Sequence, residues 1–578
     1  MKKKSKNKTK NKPNTPWESS YGNAKLEIEL PEGSLYDEIE RITKEYPNYI
    51  AYNYFNHKVT FNKFIKDIKA CARSLRSYGI EKGDAVTICM PNTPEAIVSF
   101  YAINMIGAIA NMIHPLSAEN EIKDYLNMAN STMLITVDLA WSRVENILVD
   151  TKVQNTVVVS VKESMPMLLG LGYQLTKGFK IKKPKISDSV MFWKDFIAHG
   201  GNYVDELKSV GTKDDYAAIL YSGGTTGISK GIVLSNYNIN SAAFQSLEAC
   251  QALSPGDASL AILPIFHCFG LGICIHAIMS KGATAVLIPQ FVAKDFHKLL
   301  KAHHPNVIIG VPTLYEALIN NKSIEDLSYL KLAISGGDTL TPSLKYKIDD
   351  FFEEHGASIE VREGYGLTES SGASCLMPLN KYKEGSIGVP VPNMYYKIVA
   401  PNTEDEMPYG EEGEIVISGP SVMVGYLNEE VETNQALRIH SDDRIWLHTG
   451  DVGTMDEEGY IYFTQRIKRM IVSSGYNVYP GQVENVINSY PDVLTSTVVG
   501  IPHPYKHQVA KAFIVLKQGV EPSKVLERNI RDHCAKSLAK FSLPYEYEFR
   551  ESLPKTLIGK VAYTKLIEEE VNKNKGKE

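Results

Sequence analysis

The residues best suited to chemistry lie in a loop rich in glycine and hydroxyl side chains, YSGGTTGISKG at positions 221–231. An apolar strand is expected just before it, at 217–220, and its glycines allow the backbone to approach a ligand closely. Thr225 and Thr226 can donate hydrogen bonds and Lys230 supplies positive charge, so the loop is suited to wrapping phosphates. It is not a Walker loop, because Gly231 rather than serine or threonine follows the lysine. For the loop taken alone, a flexible Gly/Ser turn is the less favoured alternative.

Four more motifs follow this loop in order: GYGLTE at 364–369, TGD at 449–451, a run from RIKRM to GQVE at 466–484, and PKTLIGKV at 554–561. Each is weak on its own. A glycine-rich turn that carries a glutamate is usually structural, Gly-Asp turns are common, and a charge cluster is usually a solvated face. A single exposed lysine such as Lys560 carries no signal by itself. Their joint presence and order give the pattern its weight.

Together these motifs resemble those of the adenylate-forming superfamily, which contains acyl-CoA synthetases, luciferases and peptide-synthetase adenylation domains. The resemblance covers residues 30–570. It departs at Gly223, where the family has serine, and at Ser229, where it has proline, but both replacements are small and compatible with a turn. The resemblance implies that a carboxylate reacts with ATP to give acyl-AMP, with Mg²⁺ present, and that the acyl group then passes to the thiol of coenzyme A.

The same resemblance assigns roles to individual positions. Tyr365 would stack on adenine, Thr368 would touch the phosphate region, Asp451 would bind both ribose hydroxyls, and Glu369 would help to hold Mg²⁺, which prefers hard oxygen ligands. The expected nucleotide-binding residues are Ser222, Gly223, Gly224, Thr225, Thr226, Lys230, Gly336, Gly364, Tyr365, Thr368, Asp451, Arg466 and Lys560.

Lys560 is the expected catalytic lysine, with Glu369, Thr225 and His267 as its catalytic companions. Carboxylate and ATP are both anions, and negative charge gathers at the α-phosphorus in the transition state. A positioned ammonium stabilises that charge, and the loss of one such donor costs about 10²–10³ in rate. His267, in the aromatic-rich element at 264–270, is expected beside the path from acyl carbonyl to thiol; a hydrogen-bonded core histidine is the alternative.

The C-terminal part carries the expected second half-reaction. By resemblance, Lys468 is the hinge between two domains, and Ser474 and Gly475 lie on the loop that faces coenzyme A. Rotation about the hinge would withdraw Lys560 and present the coenzyme A face, so that one site serves two charge distributions. Ser335-Gly336-Gly337-Asp338 resembles the loop beside adenine and the acyl pocket, where Asp338 replaces a small residue.

Composition excludes several classes of protein. The chain of 578 residues has 62 Lys and Arg against 67 Asp and Glu, so it has no general basic bias towards nucleic acid. Its 43% hydrophobic and 22% charged residues are typical of a globular protein. The seven cysteines are scattered without CxxC spacing, which favours reduced thiols in the cytoplasm. The sequence gives no signal for oligomeric state.

The alternation of helical and strand patterns predicts an α/β fold with βαβ layers and largely parallel sheets. The predicted organisation is a basic disordered tail at 1–29, a large N-terminal domain at 30–466 that includes a distorted small barrel, a hinge at 467–468, and a small mobile α+β domain at 469–573. The predicted helices include 61–78 and 94–113, and the predicted strands include 85–90, 133–137, 156–161, 307–311 and 332–335.

Two segments suggest contact with a membrane surface, although no span is expected. Residues 1–12 contain seven lysines and no apolar segment follows, so the tail is a solvated tail or a contact for anionic lipid or RNA rather than a secretory signal. Residues 165–185 combine an apolar stripe with five lysines. They form either a surface excursion packed on the body or a helix on a membrane surface. We therefore expect a cytoplasmic enzyme that could touch the inner face of the membrane.

Three functions are compatible with the motifs. The first is a ligase that makes acyl-CoA, with a medium- or long-chain fatty acid favoured over an aryl or bile acid. The second is an enzyme that passes acyl-AMP to a carrier protein or oxidises it. An insertion near the hinge would favour transfer to a carrier protein, and the sequence has none there. The third is a non-catalytic lipid-binding protein, which the presence of Lys560 and Glu369 disfavours.

Overall fold

The computed structural model describes residues 14–176, 178, 181–182, 184–222, 230–466, 469, 471–473, 476–478, 480–503, 507–538, 542–555 and 561–575. The chain divides into a first unit, Met1–Tyr396 with Ile417–Leu447, and a second unit, Lys397–Val416 with His448–Glu578. The hinge predicted at 467–468 lies outside the described residues and stays a prediction.

The helices are, in chain order, α1 Leu35–Glu45, α2 Phe61–Ser77, α3 Pro94–Met105, α4 Glu119–Met128, α5 Trp141–Val144, α6 Met167–Thr176, α7 Trp193–His199, α8 Asn236–Cys250, α9 Ile278–Ser280, α10 Phe296–His303, α11 Pro312–Ile319, α12 Pro342–Glu354, α13 Glu430–Ala436, α14 Pro480–Asn488, α15 Lys524–Ser537 and α16 Tyr563–Lys575. A π-helical stretch, Phe269–Ala277, leads into α9.

The strands are β1 Ile50–Tyr54, β2 His57–Thr60, β3 Ala85–Cys89, β4 Ile109–Met112, β5 Met133–Val137, β6 Asn155–Val159, β7 Val190–Phe192, β8 Tyr216–Ser222, β9 Lys230–Ser235, β10 Ala258–Ala261, β11 Thr284–Leu287, β12 Val307–Gly310, β13 Leu332–Gly336, β14 Val361–Tyr365, β15 Cys375–Leu376, β16 Val389–Pro390, β17 Tyr395–Val399, β18 Gly413–Ser418, β19 Gly425–Tyr426, β20 Leu437–Ile439, β21 Ile445–Met455, β22 Ile461–Arg466, β23 Ile471–Ser473, β24 Tyr476–Val478, β25 Val493–His503, β26 His507–Leu516 and β27 Glu546–Arg550.

Two large sheets make up most of the first unit. Within the described residues, one sheet has the strand order β16-β15-β14-β13-β12-β10-β11-β1-β2 and the other has β19-β9-β8-β4-β3-β5-β6-β7. Their central strands pair in parallel, as in β12 with β13 and β3 with β5. Parallel pairs need crossover connections, and the helices between these strands supply them. The expected α/β fold with largely parallel sheets is therefore confirmed.

A single cluster of buried side chains joins α1, α2 and α3 to strands of both sheets. Every residue of α3 is buried, which fits a helix that is apolar on all sides. Thr93 caps this helix by accepting a hydrogen bond from the amide of Ala96, and Pro94 occupies its first turn.

The single helix predicted at 94–113 is wrong. The structure ends α3 at Met105 and begins β4 at Ile109, with Gly107 between them at a φ of +71°. Residues with a side chain rarely adopt that conformation, so the glycine permits the turn. Periodicity could not show the break, because the helix and the strand are both buried and both almost wholly apolar.

The second unit combines antiparallel strand pairs with one parallel pair, β26 with β27. One five-stranded sheet has the order β17-β18-β21-β20 with β22 paired to β21, and the division between the two units falls within β17, β18 and β21. This curled sheet corresponds to the small barrel expected from the sequence. Another sheet, β24-β23-β26-β25 with β27 beside β26, packs against α14, α15 and α16 through two clusters of buried side chains.

Two observations bear on the expected compartment and membrane contact. All seven cysteines lie in the described part of the chain, and all are buried and free of disulfide bonds. Among the described residues, none of the helices is long and apolar enough to cross a membrane.

Candidate active site

The predicted adenine-side glycines lie at one edge of the first sheet. Strands β13 and β14 run in parallel and end there, with Gly336 directly opposite Gly364. A Cβ added to Gly336 would lie 2.9 Å from the carbonyl oxygen of Gly364 and 3.3 Å from the ring of Phe269. The structure therefore brings Gly336, Gly364 and the half-buried Tyr365 together at the carboxyl ends of parallel strands, where α/β sheets bind their ligands.

A tight turn follows Tyr365 and presents the predicted metal ligand. Thr368–Ser370 forms a short 3-10 helix, and Gly372 adopts a φ of +95° beside the backbone of Cys268 and Phe269. Gly366 is packed against Gly372, where an added Cβ would lie 2.5 Å from a backbone oxygen. The close packing of these glycines fixes the position of Thr368 and Glu369.

Glu369, Tyr426 and Lys230 form a connected polar group. The Tyr426 hydroxyl donates to Glu369 Oε1 at 3.1 Å, and the Lys230 ammonium lies 4.8 Å from the centroid of the Tyr426 ring. The backbone amide of Met423 donates to the Glu369 carbonyl at 2.8 Å. Burial, followed by the charge of Glu369, raises the pKa of Tyr426, so the phenol stays protonated and able to donate.

Lys230 sits at one end of the predicted phosphate loop. Strands β8 and β9, which flank that loop in the sequence, pair in antiparallel fashion with Ser222 opposite Lys230. Two groups of predicted residues lie outside the described part of the chain: Gly223, Gly224, Thr225 and Thr226 of the loop, and Lys468, Ser474, Gly475 and Lys560 of the C-terminal part. Their roles stay predictions.

His267 lies in the turn that leads into the π-helical stretch. Its Nδ1 accepts a hydrogen bond from the Phe269 amide at 3.3 Å, and its own amide donates to the Pro264 carbonyl at 3.0 Å. The next side chain back, Phe266, stacks at a tilt on His114 with ring centroids 4.3 Å apart. His267 is half-buried at this turn, and it shares the turn with Phe269, whose ring touches Gly336.

The donor set in the first unit fits a magnesium ion shared with a phosphate. The structure describes no group of three or more His, Cys, Asp or Glu side chains that could hold a metal by themselves. Glu369 instead offers carboxylate oxygens beside Lys230. Mg²⁺ is commonly bound by one or two carboxylates together with substrate phosphates and water. Glu369 is therefore the residue that would hold the ion.

The predicted ribose ligand lies in the second unit. Asp451 on β21 is paired in register with Arg466 on β22, and Arg466 Nε lies 3.3 Å from Asp451 Oδ1. Asp451 is buried, whereas the Arg466 side chain is about half exposed. Gly450 adopts a φ of +69°, and nothing lies within 4 Å of a Cβ added to it. The backbone of β21 at Gly450, called the Gly450 turn below, therefore leaves open space next to a buried carboxylate.

A buried pair that was not predicted supports this turn. Glu414 accepts a hydrogen bond from the Gly450 amide at 3.0 Å through Oε1 and contacts His448 Nδ1 at 2.8 Å through Oε2. The Thr449 hydroxyl donates to the Ile415 carbonyl at 2.6 Å and accepts from the Asp451 amide at 3.0 Å. The backbone on both sides of Gly450 is therefore held by side chains.

Sequence reasoning also missed Tyr426 and Asn238. Asn238 forms the capping box at the start of α8. Its side-chain amide also donates to the carbonyls of Pro420 and Val422, directly before Met423, whose amide donates to Glu369. In the sequence, Tyr426 belongs only to a Gly-Tyr pair, which predicts no function by itself. Its position becomes informative only once the structure shows that β19 pairs with β9. Asn236, close to Asn238 in the chain, is a buried residue that accepts a hydrogen bond from the Asn104 side chain.

Comparison with known proteins gives the same picture over the whole chain. Residues 39–427 match the AMP-binding enzyme family, and residues 482–560 match the AMP-binding enzyme C-terminal domain. A long-chain-fatty-acid–CoA ligase of Bacillus subtilis is 32% identical over 567 residues, covering 96% of this chain and 98% of the relative. A long-chain-fatty-acid–CoA ligase of Haemophilus influenzae is 30% identical over 557 residues, covering 93% and 95%.

A solved structure agrees in fold. The ATP-bound MatB of Rhodopseudomonas palustris superposes with a TM-score of 0.79 at 23% identity, covering 92% of this chain and 98% of that one.

Proposed function

Since the chain belongs to the AMP-binding enzyme family, we propose that it is an ATP-dependent ligase that joins a long-chain fatty acid to coenzyme A. One observation carries the proposal: two ligases named for that reaction match this chain at 30% identity or more along nearly its full length. The site of the first unit supports it with the carboxylate of Glu369 and the ammonium of Lys230, which both contact Tyr426.

In the first half-reaction, a carboxylate oxygen of the acid attacks the α-phosphorus of ATP. The bond from that phosphorus to the bridging oxygen breaks, and pyrophosphate leaves with the electron pair. Lys230 would draw phosphate charge to the predicted phosphate loop, and Glu369 would hold the magnesium ion, which supplies charge neutralisation when bound. Lys560 would meet the charge that develops on the α-phosphate.

Recognition of the nucleoside follows from the remaining residues. Gly336 and Gly364 let the two strand ends pack closely, because a side chain at Gly336 would meet backbone, and Tyr365, which follows directly, would stack on the base. Asp451 would accept hydrogen bonds from both ribose hydroxyls, and Arg466 would add positive charge near the ribose or phosphate. The contact with Arg466 helps to hold the acceptor oxygens of the buried Asp451 side chain in place.

In the second half-reaction, the sulfur of coenzyme A attacks the acyl carbon of acyl-AMP. The bond from that carbon to the phosphate oxygen breaks, AMP leaves, and the thiol proton passes to solvent. We propose that Lys468 acts as the hinge between the two steps, that Ser474 and Gly475 face coenzyme A, and that His267 lines the path of the thiol. The small domain at 469–573 would be the part that moves.

We also propose that the enzyme acts in the cytoplasm, at the surface of a membrane. A cytoplasmic enzyme that uses long-chain acids meets most of its substrate in the inner face of a membrane, because such acids partition into lipid. The lysine-rich tail and the segment 165–185 are the two parts of the sequence suited to that contact.

The test is acid-dependent formation of acyl-AMP and acyl-CoA, measured by mass spectrometry over fatty, aryl and sterol acids, with Lys560→Ala in parallel. We expect acyl-CoA from long-chain fatty acids and loss of acyl-AMP in the variant. The variant should still convert synthetic acyl-AMP and coenzyme A to acyl-CoA, because Lys560 is expected to act only in the first half-reaction. Acyl-AMP without acyl-CoA from the unaltered enzyme would indicate a carrier protein as acceptor, and no adenylate from any acid would contradict the proposal.

A further inference from the structure

Helix α6 turns its apolar side outward. At about 100° per residue, Met167, Leu168, Leu171 and Leu175 fall within one arc of about 100°, and their exposed fractions are 88%, 83%, 58% and 71%. A surface helix of a globular protein normally shows the opposite arrangement, with its apolar stripe against the core. Four large apolar side chains side by side on one outward face therefore need a partner that removes them from water.

The helix is held to the body of the first unit at Gly170 and Tyr173, although Leu169 on that side is 52% exposed. Gly170 is buried and Tyr173 is half-buried, while Met165, just before the helix, packs against the main buried cluster. The Ser164 hydroxyl donates to the buried carboxylate of Glu95, and Lys194 lies 3.7 Å from Glu163. The outward direction of the leucines is therefore set by contacts on the other face and at the start of the helix.

The end of the segment is also tied down and carries positive charge. Lys182 forms an ion pair with Glu145. From 177 to 187 the sequence is KGFKIKKPKIS, which holds five lysines and no acidic residue. Lys185 and the neighbouring Ile186 are exposed. An apolar face is thus followed at once by a run of charge that complements an anionic surface.

From this arrangement we propose that α6 and the lysines that follow it dock the enzyme on the surface of an anionic lipid bilayer. The helix has ten residues, about 15 Å at 1.5 Å per residue, so it is too short to span the bilayer and would lie in the interface. Its leucines would enter the acyl region while the exposed Lys185 faces phosphate headgroups; Lys177, Lys180 and Lys183 lie outside the described residues and add their charge by sequence alone.

A bilayer suits this surface better than a folded protein partner. The outward arc holds only flexible aliphatic side chains, whereas protein interfaces concentrate their binding energy in Trp, Tyr and Arg. The purpose of the contact rests on the proposed function: docking would bring an enzyme that uses long-chain acids to the membrane in which those acids are dissolved. The contact itself can be measured without any catalytic step.

The experiment is flotation of the full chain with vesicles of phosphatidylcholine, with and without phosphatidylglycerol. The test variant combines Met167→Ser, Leu168→Ser, Leu171→Ser and Leu175→Ser. These side chains are already exposed, so their removal should leave the fold intact. We expect at least about tenfold weaker binding to the anionic vesicles. A matched variant, Val149→Ser, Val431→Ser, Ile439→Ser and Val525→Ser, removes four exposed side chains elsewhere and should bind as the unaltered protein does.

Charge is tested separately. Lys180→Gln, Lys183→Gln and Lys185→Gln should each weaken binding to the anionic vesicles by about fivefold and leave the weak binding to pure phosphatidylcholine unchanged. A second variant replaces the seven lysines of residues 2–12 by glutamine, so that the tail and α6 are compared in the same chain.

Three results would overturn the proposal: equal vesicle binding by the α6 serine variant and the unaltered protein, loss of binding only in the tail variant, or no binding by the unaltered protein. A concentration-dependent dimer that the serine variant abolishes, without vesicle binding, would assign the face to a second copy instead. Acyl-CoA formation from a dispersed acid is measured on the same samples. Vesicle binding therefore tests docking, and acyl-CoA formation tests the ligase reaction, so that failure of one can be distinguished from failure of the other.

Discussion

The hydroxyl of Tyr426 donates a hydrogen bond to Glu369 Oε1 at 3.1 Å, and the two residues lie 57 positions apart in the chain. The bond fixes one oxygen of the carboxylate that would hold magnesium. The Lys230 ammonium lies over the same aromatic ring, so one side chain orients both the anionic and the cationic group of the site. We therefore propose that Tyr426 is a positioning residue for the adenylation half-reaction.

Replacing Tyr426 by phenylalanine should therefore weaken the use of magnesium. A hydrogen bond to a charged group contributes about 1.5–3 kcal/mol, so we expect adenylation to slow by about tenfold to a hundredfold at low Mg²⁺ and to recover partly at high Mg²⁺. ATP–pyrophosphate exchange over a magnesium series measures this. Tyr237→Phe is the control, since the ring of Tyr237 also lies near a lysine, Lys213, but away from Glu369. An unchanged magnesium dependence in Tyr426→Phe would contradict the assigned role.

Asp451→Asn should raise the KM for ATP without unfolding the second unit. The amide keeps the shape of the side chain, and Thr449 and Glu414 still hold the turn. The variant loses the charge that faces Arg466 and one acceptor oxygen, so we expect a loss of about tenfold to a hundredfold in kcat/KM for ATP.

Steady-state kinetics and a melting curve of each Asp451 variant check this prediction. Asp456→Asn is the matched control, because Asp456 lies in the turn between β21 and β22 and its Oδ1 accepts backbone hydrogen bonds that an amide oxygen can keep. If both variants raise the KM for ATP equally, the cause is a general disturbance of this part of the second unit and not the loss of a ribose contact.

Glu363 lies directly before the glycine-tyrosine motif and should make stability depend on pH. Burial raises its pKa from 4.5 to about 7. Tyr382 donates to Oε1 at 3.3 Å, and no donor to Oε2 is present among the described residues. Between pH 4.5 and about 7 the folded protein keeps a proton that the unfolded chain releases, so unfolding becomes easier as pH rises through this window.

Glu363→Gln should remove that pH dependence. At about 1.4 kcal/mol for each pKa unit, the unaltered protein should lose about 3 kcal/mol of unfolding free energy across the window relative to the variant. Chemical denaturation at a series of pH values measures the difference. Glu360→Gln is the control of opposite sign, because Arg362 lowers the pKa of Glu360, whose contribution is lost as pH falls. Parallel pH profiles for Glu363→Gln and the unaltered protein would show that Glu363 does not carry the effect.

Local sequence pattern predicted the parts of the fold that follow local rules. The strand at 133–137 is found at the predicted bounds, and its neighbours differ by one or two residues at their ends. Helix α2 ends at Ser77, one residue short of the expected 78, and Gly79 follows it at a φ of +78°. Capping residues and glycines mark these ends chemically, so they can be read without knowledge of the rest of the fold.

Long-range contacts could not be predicted in that way. Glu414 supports Gly450 from 36 residues away, and Tyr426 meets Glu369 only because β19 pairs with β9. Neither residue lies in a motif that the sequence singled out. The motifs named the residues expected to contact ligand, whereas the residues that hold them in place depend on strand pairing that no local pattern contains.

Gly336 and Gly364 should respond differently to the same small change, although both lie in the predicted nucleotide site. A Cβ at Gly336 would lie 2.9 Å from the Gly364 carbonyl oxygen, which belongs to backbone and must move. A Cβ at Gly364 would lie 3.4 Å from Ile334 and 3.5 Å from Leu376, which are ordinary contacts. Gly336→Ala therefore displaces the strand end that precedes Tyr365, whereas Gly364→Ala fits.

We expect Gly336→Ala to reduce kcat/KM for ATP by up to about 10²-fold, because a displacement near 1 Å is enough to misplace a bound substrate. Gly364→Ala should change it by less than about threefold, as for a substitution that meets no clash. Exchange kinetics at saturating acid, with coenzyme A omitted, isolate the nucleotide step. A larger loss of kcat/KM in Gly364→Ala than in Gly336→Ala would contradict this prediction. It would show that contact between the ligand and Gly364 matters more than the packing of the strand end at Gly336.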